Sequence, residues 1–138
     1  MGVVKALKAL SAMPDERRSK EINDTIEKAA EFLLIHYIYK RSRNLNKASK
    51  PGWLKFGFPL MYQTDALEIL DILTELGIQD SRMDEAINLV IAKQDDEGRW
   101  KLENNYSNDR LLIPMGQKAE QSKWITLRAM RVLKRYAG

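Results

Sequence analysis

The stretch Gln94-Asp95-Asp96-Glu97-Gly98-Arg99-Trp100 decides how this sequence is read. It comes after an apolar run at helical spacing, Met83, Ile87, Val90 and Ile91, and closes it with acidic turn residues, a glycine and an indole. Gly98 can take a positive φ and turn the chain after the helix. Gln94 offers an amide to backbone groups and a flat face to the Trp100 ring. The chemistry of the stretch is that of a packing device, which ties the end of one helix to the next segment of the chain.

The regions on either side continue the pattern. Val3 to Ala12 read as a helix that Pro14 ends. A longer one is expected over 17–40, with Ile22, Ile26, Ala29, Ala30, Leu33 and Tyr37 along one stripe. From Phe32 to Tyr39 nearly every side is apolar, so that end should be buried all round. Arg41 to Leu60 carries too many turn residues for a regular element. A third helix is expected over 65–76, within the inner segment 62–76, with Thr64 as its cap, Asp65 in its first turn and Gly77 as its stop. Ser81 with Asp84 reads as a capping box for a helix over 82–93. Arg99–Glu103 and Arg110–Met115 read as a short hairpin inside the second long break. Ser122 caps a last helix, 123–137. No strand competes with these helices, and the class is all-α.

Composition limits what such an object can be. The chain has 138 residues, one domain's worth, with no cysteine, one histidine and a net charge of +4. Disulfides and thiolate metal sites are excluded. No leader or membrane span is legible, which points to the cytoplasm. The small positive excess argues only weakly for an acidic partner.

Self-comparison gives the strongest signal. Ala6-Leu7-Lys8-Ala9-Leu10, Ala66-Leu67-Glu68-Ile69-Leu70 and Thr126-Leu127-Arg128-Ala129-Met130 superpose without a gap, about sixty residues apart. The plan is an inner helix, an outer helix and a loop, repeated. Inner helices are 3–12, 62–76 and 123–137; outer helices are 17–40 and 82–93. Glu68, Asp71 and Glu75 make an acidic stripe on the middle inner helix, where the last one carries Arg128, Arg131 and Arg135 and the first carries Lys8. Parallel neighbours then predict pairs of Glu68 with Lys8 and Arg128, Asp71 with Arg131, and Glu75 with Arg135.

Leu89-Val90, Gln94, Gly98 and Trp100, at that spacing, resemble the QW repeat of squalene and oxidosqualene cyclases. The hairpin plan is similar to that of protein prenyltransferase β subunits, whose helices alternate around an α/α toroid. The resemblance implies a partial toroid, about half a ring, and a domain over 1–138 that forms the C-terminal part of a longer protein. It implies an apolar, aromatic-lined middle, for which Tyr62, Trp100 and Trp124 are the candidate lining.

The catalytic signatures of these families do not carry over. Asp95-Asp96-Glu97 lacks the D-x-D-D spacing, and Arg99 stands where a D-D-x-x-D motif needs its last acid. With no cysteine and with His36 as the single histidine, no zinc set can be built. No catalytic residue, metal or cofactor is assigned. The expected function is a non-catalytic toroid-like domain that binds a hydrophobic, isoprenoid-like molecule. One alternative is a fragment of an isoprenoid enzyme whose catalytic residues lie upstream. Another is a solenoid that grips a peptide or nucleic acid through the basic, aromatic loop Lys40–Tyr62. Terminal helix faces left bare invite self-association.

Overall fold

The computed structural model describes residues 2–41, 44–48, 51–60, 63–104 and 116–138. The architecture is all-α. Five helices carry the core: α1 (Gly2–Ser11), α2 (Lys20–Ile35), α3 (Ala66–Glu75), α4 (Asp84–Ala92) and α5 (Lys123–Ala137). The stretch after α2, expected to be irregular, contains a two-stranded antiparallel ribbon, β1 (Lys40–Arg41) with β2 (Asn44–Ala48).

Helix α3 is the centre. Its Leu67, Ile69, Leu70, Ile72 and Leu73 are all buried, because α1 packs on one side, α5 on another and α4 on a third. Helix α2 packs on α1 and touches the 3₁₀ turn Ser81–Met83 that leads into α4. Helices α3 and α5 run in the same direction. Phe58, ahead of α3, stacks on Trp124 at the start of α5, with ring centroids 5.3 Å apart. Gln79, beyond the end of α3, donates to the carbonyl of Tyr136 near the end of α5.

Local chemistry sets the helix ends, and those of three helices differ from expectation; the second also starts late, at Lys20 with Ser19 as its cap, rather than at Arg17, which lies in a separate 3₁₀ turn. The long second helix stops at Ile35, five residues early. The N–H of Ile38 bonds the Leu33 carbonyl at 3.0 Å and that of Tyr37 the Leu34 carbonyl at 2.9 Å, the Schellman closure of a helix end. The same closure ends α3, where Gly77 occupies the left-handed position (φ 77°) and Ile78 bonds back to Leu73. After α2 that position falls to Tyr37 (φ 47°), followed by Ile38 (φ 74°). Side chains at positive φ are uncommon, and a β-branched one is an outlier.

The second correction is at the start of α3. Its cap is Asp65, not Thr64. Asp65 Oδ1 accepts the Glu68 N–H at 2.8 Å, while the Thr64 hydroxyl donates to the Glu68 carboxylate at 2.6 Å. A carboxylate satisfies the free N–H groups of a first turn better than a hydroxyl does. Third, Asp80 rather than Ser81 opens the helical segment before α4, accepting the Arg82 N–H at 2.9 Å. The expected hairpin partner Arg110–Met115 lies outside the described residues. Trp100 and Leu102 pair instead with 119–122: Ser122 N–H donates to the Trp100 carbonyl at 2.8 Å, and Leu102 N–H to the Glu120 carbonyl at 2.8 Å.

Candidate functional site

A cavity of about 130 Å³ lies between the start of α1 and the end of α2. Val3 and Val4 of α1, Phe32 and Leu33 of α2, and Trp53 line it, together with His36, Ile38 and Lys40 from the turn that comes after α2. The left-handed pair Tyr37–Ile38 shapes that turn. It folds Ile38 under the core, fully buried, and leaves Phe32 about half exposed. Backbone strain of this kind costs about 1–3 kcal/mol per residue and persists only where packing enforces it.

Among the described residues that line it, His36, Lys40 and Trp53 carry the side-chain polar atoms. His36 Nδ1 stands 2.7 Å from the Phe32 carbonyl. A carbonyl only accepts, so Nδ1 carries a proton and donates to it. Lys40 is occupied, paired with Glu85 and lying 5.3 Å from the Tyr37 ring centroid. Expected to sit deep in a long helix, His36 instead caps the C-terminus of α2 and is half-buried. No glycine marks that helix end, so nothing in the sequence signalled the turn that brings His36, Ile38 and Trp53 together.

The second polar feature is a set of acids along α3. Asp65 and Glu68 are 0% and 2% exposed. Asp65 accepts from the backbone N–H of Gly57 at 2.9 Å as well as from Glu68. Burial pushes its carboxyl up to about 6, against the lowering effect of those two N–H groups and of the Arg128 charge. Burial acts to raise Glu68 too, but the bonds from Thr64 and Lys5 and the charges of Lys8 and Lys5 outweigh it and hold that carboxyl below its usual range.

The basic partners meet these acids in an order that differs in part from the expected ladder. Glu68 takes Lys5 at 2.9 Å and Lys8 at 3.1 Å, both from α1. Asp71 takes Arg131 and Arg135, each with a contact of 2.9 Å, and has Arg128 at 3.7 Å. Arg128 therefore goes to Asp71 rather than Glu68, and Arg135 to Asp71 rather than Glu75. Glu75 faces water, so Arg135 turns to the more sheltered Asp71, while Glu68, drier still, is already taken by Lys5, Lys8 and Thr64. Arg128 also lies 5.8 Å from the Phe58 ring centroid, and its Nη1 is buried with no hydrogen-bond partner among the described residues.

Asp65 makes stability depend on pH. Its folded pKa is above the unfolded one, so its ionisation opposes folding above about pH 6, and that penalty is relieved as pH falls towards 4. Asp65→Asn removes the titration. The stability difference between variant and parent should therefore move in the variant's favour by up to about 3 kcal/mol between pH 4 and 7.5. Urea unfolding at both pH values measures it. A pH-independent difference would mean that Asp65 stays ionised at no cost.

The Gln94–Trp100 stretch is organised by a residue other than the expected one. The Gln94 side chain is exposed. Asp95 holds the turn: its Oδ1 accepts the N–H groups of Glu97 and Arg99, both at 2.9 Å, and its Oδ2 accepts the Gln121 amide at 2.8 Å. The Arg99 N–H first, and Gln121 next, hold its carboxyl below the ordinary range. Gly98 has φ 77°, and a Cβ there would stand 3.4 Å from Gln94 Nε2.

Of the three aromatics expected to line a cavity, Trp100 is 1% exposed in the packed core, with Nε1–H donating to the Val90 carbonyl at 2.8 Å. Trp124 is half-buried on Phe58. Tyr62 lies outside the described residues. The loop aromatics are also engaged inside the fold. Phe56 is fully buried under Lys93, which removes it from any base-stacking surface, and Trp53 is half-buried and lines the cavity. Among the described residues no group of His, Asp and Glu is arranged to hold a metal, and no helix is long and apolar enough to cross a membrane. No family model, curated protein or solved structure matches this chain.

Proposed function

We propose that this chain is a helical-repeat domain of the α/α-toroid kind that holds a small hydrophobic ligand and has no catalysis of its own. In this reading α1, α3 and α5 are the inner layer and α2 and α4 the outer one. The observation that carries the binding role is the cavity between α1 and α2, whose open surface is as much polar as apolar and which His36 and Lys40 line beside six apolar or aromatic side chains. Sites for small molecules are typically concave, mostly apolar and furnished with few polar groups.

Its size limits the ligand. An engineered apolar cavity of about 150 Å³ accepts benzene. A space of about 130 Å³ therefore takes one ring or one branched five-carbon unit, the size of a single isoprene. A longer chain would lie across the half-exposed Phe32 onto the surface.

Dimethylallyl alcohol is a suitable probe, with five carbons and a hydroxyl that can pair with His36. Titrated into ¹⁵N- and methyl-labelled protein, it should shift the Trp53 indole and the Val4 and Leu33 methyls. The expected Kd is about 0.1–1 mM, given the limits on binding energy per atom. Val3→Trp should fill the space and abolish the shifts. No response at about 10 mM, or the same response in Val3→Trp, would remove the reading.

A further inference from the structure

We infer that the ligand of the cavity between α1 and α2 is a small monocarboxylate, branched or with a single ring, whose charged head is taken by Lys40. The inference rests on the proposed ligand cavity and adds to it the chemistry of the head group.

The side chains that line the cavity offer donors and almost no acceptors. The Lys40 ammonium has N–H donors alone, and the Trp53 indole N–H only donates. His36 uses Nδ1 on the Phe32 carbonyl, 2.7 Å away, and its other nitrogen accepts only while the ring is neutral. No carboxylate, amide or hydroxyl stands among the described lining residues. His36 and Lys40 belong to one turn, closed by the Lys40 N–H on the His36 carbonyl at 2.7 Å. An oxygen-bearing head group supplies what this set lacks.

Lys40 fixes the charge of that head. Its side chain is 14% exposed, whereas the partner Glu85, in the first turn of α4, is 55% exposed. Polar groups withdrawn from water are normally bonded in full. Glu85 takes one donor of an ammonium that has three, and the Tyr37 ring offers only the face of its π system. A pair with one half-exposed member is weak. Glu85, once released, keeps the favourable field at the start of α4. A ligand carboxylate can therefore join or replace Glu85 on the ammonium. One permanent cation in the lining matches one negative charge, which selects a carboxylate over a phosphate ester. The cavity of about 130 Å³ limits the tail to a five-carbon branch or one ring.

The probe is 3-methylbut-2-enoate, which has the carbon skeleton of dimethylallyl alcohol and a carboxylate in place of the alcohol. At about pH 7.5 it is ionised. Followed by the Trp53 indole and the Val4 and Leu33 methyls, it should bind at least about tenfold tighter than the alcohol. Acetate, the head without the tail, should bind at least about tenfold more weakly than the enoate. Lys40→Met keeps the apolar stem and removes the charge, so the preference for the enoate should vanish while the alcohol still binds. Glu85→Gln removes the competing carboxylate and should tighten enoate binding about threefold. Glu85 is exposed, so this variant keeps its fold even where Lys40→Met does not. An enoate bound no more tightly than the alcohol would overturn the inference and leave the cavity reading standing. So would a preference that survives in folded Lys40→Met, acetate bound as tightly as the enoate, or enoate binding that Glu85→Gln leaves unchanged or weakens. Silence from both probes at about 10 mM would overturn the cavity reading along with it.

Discussion

Trp100→Ala should lose about 3–5 kcal/mol of stability, the largest effect expected of any single substitution in this chain. The indole is 1% exposed, and its N–H is satisfied only by the Val90 carbonyl, 2.8 Å away near the end of α4. Removing the ring opens a void and leaves that carbonyl without its side-chain partner. The backbone of Trp100 also joins two regions: its N–H donates to the Thr126 hydroxyl at 3.0 Å and its carbonyl accepts from Ser122, so the indole anchors the strand-like segment that seats α5. Trp100→Phe keeps most of the volume and loses the hydrogen bond, and should cost about 1–2 kcal/mol. Equilibrium urea unfolding separates the two. Equal, small losses would show that the indole is not a structural anchor.

Asp71→Ala is the second large effect, about 2 kcal/mol. One carboxylate, 16% exposed, serves Arg131 and Arg135 directly and faces Arg128. Removing one partner of a buried pair costs about 3–5 kcal/mol, and the partial exposure of Arg131 and Arg135 brings the figure down. The loss should shrink in about 1 M salt, where charges are screened within about 3 Å, because part of it is repulsion among three guanidinium groups left together. Glu75→Ala, at an exposed position one turn on, should stay within about 0.5 kcal/mol of the parent. Comparable costs at Asp71 and Glu75 would mean that the arginines do not depend on Asp71.

The helical class, the central position of α3 and the residues of α5 could all be read from periodicity, because side-chain patterning reports which faces are covered. The sixty-residue match also drew attention to the right charges: Glu68 does meet Lys8, and Asp71 does meet Arg131. Spacing does not report which carboxylates are exposed or already paired, and that decided where Arg135 and Arg128 went: Glu75 faces water and Glu68 is held by Lys5 and Lys8. Backbone dihedrals were hidden as well. Gly77 announced the end of α3 through its residue type, whereas Tyr37 held the same conformation with nothing in its type to show it. The cavity was illegible for that reason. In the Gln94–Trp100 stretch the glycine and the indole were legible, but the organising group was Asp95, whose bonds to Glu97, Arg99 and Gln121 are properties of a folded turn.

The close of α2 is wound against the preference of its own residues. A tyrosine and an isoleucine are held left-handed there, with Ile38 fully buried in the same core as Leu33 and Val4. When that packing loosens, the corner gains by unwinding, while the glycine-closed end of α3 has no such incentive. On warming, this corner should therefore let go first, and the hollow it shapes would be erased while the rest of the molecule still stood.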